Sequence, residues 1–431
     1  MKQKLSTVEH LIDANITCVV SVDGHFSIDR LRSALNRVQR KHPVLRMLIS
    51  EEKGELYYEA DAAKAIPLRM VEVTSDDDCT RECDTELATV FPHRQPQLRV
   101  VWLKSEHGNE LLITTTHRIC DGMSVLTLVR EILKSLYSDD ALVPYEPVTI
   151  RDVIGDLHDD DLPKRQRAAR IMNTIVSLVP GSRRLVANNE IYREWIVSQP
   201  LSVALKQRCK LERVSIHTAL LTVLDKALQS TLGKQAPSWI DNPFDGRRGR
   251  LSMIKSDMLF FSGGSFKIKT GQNPALDFWE RARELHEEGR QKIDQELANI
   301  PGKYQYFEML KVPADSKMRS IIRLQNFLSR HGNRSVFSFS NLGNIHVVDD
   351  DAPFQLKNLR LFVHSFGMRF LGIVAYSLHG QLRFVYMGDE KCLNHAEVDA
   401  LQRQFMALLE KHVGQHAAVS EPTGVLSAVT E

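Results

Sequence analysis

The chain has 431 residues, of which 43% are hydrophobic and 26% are charged, and its formal net charge is +2 at pH 7. This length allows two domains with substantial cores, and the composition is ordinary for a soluble globular protein. A net charge this small predicts neither nucleic-acid nor membrane partners.

Neither a transmembrane segment nor a secretory signal is predicted. No apolar run reaches the roughly 18 residues of a membrane span, and no apolar stretch follows the basic residues at the N-terminus. We therefore expect a cytoplasmic protein. The six cysteines are scattered along the chain, which favours reduced thiols over a disulfide framework. Cys79 and Cys83 lack the two-residue gap of a metal-binding pair, so we interpret their surroundings as a polar loop and predict no metal site.

The first part of the chain, residues 1–150, predicts one α/β unit. It starts with a strand at 16–22, followed by a helix over 27–41 that ends before a proline. Apolar residues recur every three or four positions over 125–136, which predicts an amphipathic helix. The remaining strands of this unit are predicted at 45–50, 56–59, 98–104 and 110–118.

The composition changes over residues 151–190, which we interpret as a linker or lid that contains one short helix. An acidic run, a basic run from Lys164 to Arg170 and an apolar run follow one another there. Like charges clustered in this way are typical of a solvated helix face. The basic run is interpreted as such a face rather than as a binding patch.

A second α/β unit is predicted over residues 191–431. Both units mix strands with helices and end in a long helix, so we predict a duplicated architecture, although no sequence repeat is evident. The helix at 274–295 is expected to have Asn273 as its cap and a proline in its first position. Helices are predicted at 202–210, 215–232, 274–295 and 395–412. Strands are predicted at 194–198, 238–240, 258–261, 265–269, 335–340, 359–364, 372–378 and 381–387.

The segment from Thr116 to Gly122 holds the strongest candidate for chemistry. His117 lies at the end of a predicted strand, with Asp121 and Gly122 in a turn before the next helix. Strand alternation places His117 in a cleft and Thr116 on the opposite face. One imidazole held in a fixed pose is what a general base needs. The alternative is an ordinary structural histidine, since the chain has 16 histidines and short motifs often match by chance.

These residues resemble the superfamily of chloramphenicol acetyltransferase, nonribosomal-peptide condensation domains and polyketide-associated acyltransferases. The motif of that superfamily is His-His-x-x-x-Asp-Gly, and this chain matches it from the second histidine, with Thr116 in place of the first. Residues 29–49 resemble its first helix and strand, and Ser340-Asn341-Leu342-Gly343 resembles a strand end of its second half. The resemblance is nearest to the stand-alone polyketide-associated and alcohol acyltransferases.

The resemblance implies two chloramphenicol-acetyltransferase-like domains arranged in a V, with a tunnel between them. It implies acyl transfer from a pantetheine thioester, either acyl-CoA or an acyl carrier protein, to a hydroxyl acceptor. His117 would act as the general base, and no covalent acyl-enzyme would form. Coenzyme A or phosphopantetheine would be a co-substrate, and no other cofactor is expected. The setting implied is secondary metabolism, in lipid or polyketide biosynthesis.

The resemblance also implies roles for residues around His117. Ser340 and Asn341 would donate hydrogen bonds to the oxyanion, although a simple turn after the strand is an equal alternative. Asp121 would pair with Arg247 or Arg248 and hold the motif loop. The family treats the residue at Thr116 as structural, so we expect activity to survive, with a non-catalytic member as the alternative.

Other functions remain as alternatives or are disfavoured. An amide-forming condensation enzyme would use an amine acceptor, and a non-catalytic module would only bind carrier proteins. Cys120 lacks a base of its own, which argues against a cysteine nucleophile. The stretch Gly122-Met123-Ser124-Val125-Leu126 lacks the last glycine of a hydrolase elbow, and no Walker loop or dinucleotide fingerprint is present.

The expected partners follow from this interpretation. They are a small-molecule alcohol or amine as acceptor and acyl-CoA or a carrier protein as donor. A carrier protein would dock on a basic surface, and the clusters at 164–170 and 247–250 are candidates for it. No nucleic-acid partner is expected, and the protein is expected to be a monomer.

Overall fold

The computed structural model describes residues 2–12, 14–52, 55–60, 63–105, 108–183, 189–247, 251–329, 336–367 and 369–414. Within these residues the chain forms two larger mixed sheets and one small antiparallel sheet, with helices packed around them. The architecture is therefore mixed α/β, as the sequence predicts.

The first larger sheet has five strands, and four of them come from the first part of the chain. These strands are β2 (Ala14–Val22), β5 (Leu68–Glu72), β6 (Leu98–Ser105), β7 (Gly108–Thr116) and β12 (Leu356–Ser365). Their order across the sheet is β12-β2-β7-β6-β5. The small sheet has the order β1-β4-β3 and consists of β1 (Lys2–Lys4), β3 (Leu48–Glu52) and β4 (Glu55–Glu59). The predicted hairpin and the predicted pair before the His117 motif are both present.

The helices that belong to the first part of the chain are α1 (Thr7–Leu11), α2 (Ile28–Lys41), α3 (Asp76–Ala88) and α4 (Gly122–Tyr137). Of these, α2 and α4 follow the predicted periodicity, whereas α1 and α3 were not predicted. The side chain of Ser27 caps α2 by accepting a hydrogen bond from the Arg30 amide. The prediction of a polar loop around Cys79 and Cys83 is wrong, because both residues lie in α3. Their side chains are half-buried against the core of the first sheet, which makes this helix amphipathic.

The predicted linker contains two helices rather than one. They are α5 (Ile150–Ile154) and α6 (Leu162–Leu178). The side chain of Thr149 caps α5 by accepting a hydrogen bond from the Asp152 amide. Both helices pack against a long helix of the second part of the chain.

The second larger sheet has six strands in the order β10-β9-β11-β13-β14-β8. The strands are β8 (Glu190–Ile196), β9 (Trp239–Pro243), β10 (Ser265–Lys269), β11 (Val336–Asn344), β13 (Leu371–Leu378) and β14 (Gln381–Asp389). The helices are α7 (Gln199–Glu212), α8 (Ile216–Leu232), α9 (Phe278–Glu308), α10 (Asp315–Ser329) and α11 (His395–Val413). The strand predicted at 335–340 is β11, although Ser335 lies outside the described residues.

Three predictions about the second part of the chain are corrected. The long helix begins at Phe278, because Asp277 accepts hydrogen bonds from the amides of Trp279 and Glu280 and so caps it. Asn273 has a φ of 50°, which is left-handed and unsuited to a helix cap. The strand predicted at 258–261 is absent, and α10 was not predicted.

A strand from the second part of the chain crosses into the first sheet. β12 pairs antiparallel with β2, with Leu361 opposite Cys18 and Ser365 opposite Ala14. The core of the first sheet accordingly includes side chains from β13 and β14, among them Tyr376. The division of the chain into domains at residues 150 and 190 stays a prediction. β12 belongs to the second part of the chain by sequence but pairs with a strand of the first part.

Candidate active site

The end of β7 positions His117. β7 pairs with β2 as far as Thr116, and the amide of His117 then donates a hydrogen bond to the Ala14 carbonyl at 2.7 Å. The predicted strand over 110–118 therefore ends two residues early, and His117 opens a turn. Its side chain is half-buried, whereas that of Thr116 is buried.

The hydrogen bond of the His117 ring defines which nitrogen can act as a base. Nδ1 lies 2.8 Å from the carbonyl oxygen of Cys120, and a carbonyl oxygen can only accept. Nδ1 therefore carries the proton, and Nε2 keeps a lone pair. Burial lowers the pKa of His117, although the nearby charge of Asp121 opposes the shift. The ring is thus neutral at neutral pH, as a general base must be.

The carboxylate of Asp121 accepts hydrogen bonds from three residues and does not orient the His117 ring. Its Oδ1 accepts hydrogen bonds from the amide of Ser124 at 2.9 Å and from Arg247 at 2.9 Å. Its Oδ2 accepts one from the hydroxyl of Ser262 at 2.9 Å. Burial alone would raise the pKa of Asp121, but the charge of Arg247 and these hydrogen bonds outweigh it and lower the pKa. The carboxylate therefore caps α4 and anchors a loop, and it is not a triad member.

Of the two arginines predicted to pair with Asp121, Arg247 does so. Its side chain is 5% exposed, and it also donates a hydrogen bond to the Ser124 hydroxyl at 2.7 Å. Arg248 and Arg250 lie outside the described residues.

A loop from the second part of the chain lies across the start of α4. The amide of Phe260 donates to the Ser124 hydroxyl, and that hydroxyl donates to the Phe260 carbonyl, both at 3.1 Å. The Asp121 amide donates to the same carbonyl at 3.2 Å. These bonds replace the strand pairing predicted at 258–261, because the apolar run there signals burial and not a β-ladder.

The same loop contacts His117 and accepts a hydrogen bond from α9. The ring of Phe261 meets the His117 ring edge-on, with centroids 5.1 Å apart. The hydroxyl of Tyr304, a buried residue of α9, lies 2.8 Å from the carbonyl oxygen of Ser262 and donates to it. Sequence reasoning missed Phe261, Ser262 and Tyr304, since each belongs to the site only through long-range contacts.

A buried polar network fixes the other side of this loop. The hydroxyl of Tyr145 accepts a hydrogen bond from the Leu259 amide at 2.9 Å and lies 3.0 Å from Nδ1 of His42. Nε2 of His42 lies 2.7 Å from Glu131, which also pairs with Lys41 at 2.5 Å. His42 is fully buried and is structural in this network.

The strand end that carries Ser340 and Asn341 reaches the motif. Ser340 and Asn341 pair with Val374 and Ala375 of β13, and both side chains are half-buried. Oδ1 of Asn341 accepts a hydrogen bond from the Gly343 amide at 2.9 Å, which is a turn contact. A Cβ atom added at Gly122 would lie 3.0 Å from Cδ2 of Leu342, so this turn packs directly against the start of α4.

Thr116 and Cys120 are buried parts of the motif turn. Thr116 is 3% exposed, and its hydroxyl accepts a hydrogen bond from the Arg118 amide at 3.3 Å. Burial raises the pKa of Cys120 to about 12, so its thiolate is scarce at neutral pH. Both observations fit structural roles.

Searches for metal and membrane features gave nothing within the described ranges. No group of three or more His, Cys, Asp or Glu side chains there is arranged to hold a metal ion. No helix in that part of the chain is long and apolar enough to cross a membrane.

This chain is similar to known proteins in both sequence and fold. Residues 6–168 match the family model described as Condensation domain. The nonribosomal peptide synthetase agiA of Aspergillus flavus is 24% identical over 271 residues, which are 58% of this chain and 3% of that protein. The chain thus matches only a small part of the length of that relative.

Two solved structures share the fold over nearly their whole length. The epimerization domain from the third module of tyrocidine synthetase B superimposes with a TM-score of 0.68 at 15% identity, covering 98% of both chains. The trichothecene 15-O-acetyltransferase of Fusarium sporotrichioides superimposes with a TM-score of 0.69 at 10% identity, covering 95% of both chains. At these identities the likeness concerns the fold.

Proposed function

Because the chain has the fold of the condensation-domain and chloramphenicol-acetyltransferase-like superfamily, and its residues 6–168 match the condensation-domain model, we propose that it is an acyltransferase. The proposed reaction moves an acyl group from a pantetheine thioester to a hydroxyl group. The observation that carries this proposal is the His117 ring, whose Nδ1 proton is committed to the Cys120 carbonyl.

His117 would act through Nε2. This nitrogen takes the proton from the acceptor hydroxyl while the acceptor oxygen attacks the thioester carbonyl. The tetrahedral intermediate then collapses, the carbon–sulfur bond breaks, and the proton on Nε2 passes to the departing thiolate. No acyl group is attached to the protein. The lowered pKa of His117 supports this role, since the base is unprotonated at neutral pH.

The oxyanion would be met from the second part of the chain. Ser340 has a hydroxyl to donate, and Asn341 keeps its Nδ2 protons because the turn uses only its Oδ1. The contact between Leu342 and Gly122 supports this assignment, because it brings the strand end to the motif. The reacting groups would meet in a tunnel between two lobes arranged in a V, with donor and acceptor entering from opposite faces.

A hydroxyl acceptor is favoured by one comparison. The trichothecene 15-O-acetyltransferase, by its name an O-acetyltransferase, shares the fold over 95% of this chain. The second candidate is an amide-forming condensation enzyme, which the match to a nonribosomal peptide synthetase favours. The third is a module that binds carrier proteins without catalysis, which would not need His117.

Thiol release from acyl-CoA thioesters tests the proposal. Each thioester is incubated with alcohol acceptors and, separately, with amine acceptors. Alcohol-dependent release that falls by roughly 10²–10⁴-fold in His117→Ala supports the proposed reaction. His25→Ala, which removes an exposed histidine, is the matched control and should leave the rate unchanged. Release only with amines would favour the condensation enzyme, and release that His117→Ala leaves intact would contradict the proposed base.

A further inference from the structure

Helix α6 exposes an apolar stripe to solvent. Ile171 is 54% exposed, Ile175 is 52% exposed and Leu178 is 78% exposed. These residues are spaced four and three positions apart, so they share one face of the helix. Contiguous exposed apolar patches bordered by polar residues are typical of interaction surfaces.

The orientation of α6 is fixed by its opposite face. Ala169 is 2% exposed, and Asn173 donates a hydrogen bond to the Met309 carbonyl at 3.0 Å and accepts one from the Lys311 amide at 2.8 Å. At 100° per residue, Ile171 and Leu178 point about 160° to 180° away from Ala169. Ile175 points about 120° away from Ala169, so the stripe as a whole faces outward from the body of the protein.

Basic side chains border the stripe. Arg167 lies one turn before Ile171 on the same face, and Arg170 lies beside it, both exposed. Two acidic residues before the helix form ion pairs with basic side chains of its first turn. Asp161 pairs with Lys164 at 2.7 Å, and Asp159 pairs with Arg165. The charged residues of α6 itself are all basic.

The neighbouring helix α10 carries a second surface of the same kind. Lys317 donates to the Ser177 carbonyl, which places the start of α10 beside the end of α6. Further along α10, Leu324 is 57% exposed and Phe327 is 58% exposed, with the exposed Arg323 next to them.

We propose that the outer face of α6, defined by Arg167, Arg170, Ile171, Ile175 and Leu178, docks on an anionic lipid membrane. A helix that lies flat, with apolar residues on its outer face and basic residues beside them, inserts the apolar side chains among lipid head groups while the basic ones meet lipid phosphates. Most of the circumference of α6 is exposed, so the helix can lie along a membrane surface. The net charge of +2 does not predict this surface, because charge averaged over the chain conceals a local cluster.

This inference goes beyond the proposed function and does not depend on it. The catalytic assignment concerns His117, whereas membrane docking concerns a helix of the predicted linker. Binding to vesicles is measured without any acyl donor, so either idea can fail alone. His117→Ala should bind vesicles as the wild type does.

Vesicle flotation with the full chain tests the proposal. The wild type should bind vesicles of phosphatidylcholine that contain phosphatidylglycerol and not vesicles of phosphatidylcholine alone. Ile171→Ser with Ile175→Ser should weaken binding on the order of tenfold or more by removing apolar contact. Arg167→Glu with Arg170→Glu should have a similar effect by reversing two charges, and added salt should weaken wild-type binding.

Helix α7 supplies matched controls. Leu211 is 76% exposed, and Lys206 and Lys210 are exposed on the same helix. Leu211→Ser, and separately Lys206→Glu with Lys210→Glu, should bind vesicles as the wild type does. Equal weakening by the α6 and α7 variants would overturn the proposal, as would a wild type that ignores anionic vesicles. A wild-type dimer that dissociates in Ile175→Ser would also overturn the proposal. So would a wild type that does not bind vesicles but binds a donor protein, if only the α6 variants lose that binding.

Discussion

Replacing Arg247 with alanine is expected to destabilise the protein by about 3 to 5 kcal/mol, because a buried carboxylate would lose its counter-charge. The side chain of Arg247 is 5% exposed and that of Asp121 is 15% exposed, so water cannot replace the guanidinium. The substitution also removes the hydrogen bond from Arg247 to Ser124. An exposed ion pair, in contrast, contributes only about 0 to 1 kcal/mol.

The loss should depend on pH. The folded-state pKa of Asp121 is lowered, because the charge of Arg247 and the hydrogen bonds outweigh the effect of burial. Such a carboxyl stabilises the fold above its unfolded pKa, and this contribution is lost as the pH falls through the folded pKa. Without Arg247, burial would instead raise the pKa of Asp121. The difference in unfolding free energy between wild type and Arg247→Ala should therefore be largest at neutral pH. It should shrink as the pH falls from the raised pKa of Asp121 in the variant to its lowered pKa in the wild type, a window that includes the ordinary value of about 3.9.

Urea unfolding at neutral and acidic pH measures both effects. Arg193→Ala is the control, because Arg193 pairs with Asp399 at 3.3 Å while the two side chains are 37% and 44% exposed. The double variant Asp121→Asn with Arg247→Met should recover part of the loss, since it leaves no buried charge. A loss no greater than that of Arg193→Ala, or one that is the same at both pH values, would refute the reasoning.

Three further outcomes concern the reaction. The kcat/KM for acyl transfer should fall as the pH drops through a His117 pKa below the usual 6.5 and should be level through neutral pH, and a fall that begins well above pH 7 would contradict a neutral base. Tyr304→Phe should destabilise the fold by about 1 kcal/mol and lower kcat with little change in KM, because it frees the Ser262 carbonyl while the ring stays packed, and unchanged kcat would rule out a positioning role. Cys120→Ala should keep most of the activity, and thiol-alkylating reagents should inactivate it to the same extent as the wild type, because the Cys120 thiol is unreactive. A complete loss of activity in a folded variant would instead favour the thiol as a nucleophile.

Local signals predicted much of the framework around the site. The helix from Ile28 to Lys41 follows from its cap and its apolar periodicity, and the helix after Asp121 follows in the same way. The pairing of Asp121 with Arg247 came from the family resemblance, since 126 residues separate the two in the sequence. The structure places them at a hydrogen-bonding distance of 2.9 Å.

Long-range contacts were beyond the reach of these signals. Residues 258–261 read as a strand because Leu259 and Phe260 are apolar, yet their backbone groups bond to Tyr145 and Ser124. A run of apolar residues indicates burial but does not say which groups will satisfy the backbone. The turn at His117 was missed for a similar reason, because the strand-like pattern continues to Arg118 although the chain turns there, with the Ile119 amide donating to the Thr116 carbonyl at 3.3 Å.

The crossing of β12 into the first sheet has a mechanical consequence. Its ladder with β2 runs from Leu356 to Ser365, and these residues connect on both sides to strands of the second sheet. The second part of the chain is therefore tethered to the first sheet through its edge strand, so we expect any opening between the two sheets to pivot about β12. A fragment that ends before β12 would expose the edge of β2 and leave it prone to pair with other chains. We therefore expect the first part expressed without β12 to be unstable, although it would retain His117 and Asp121.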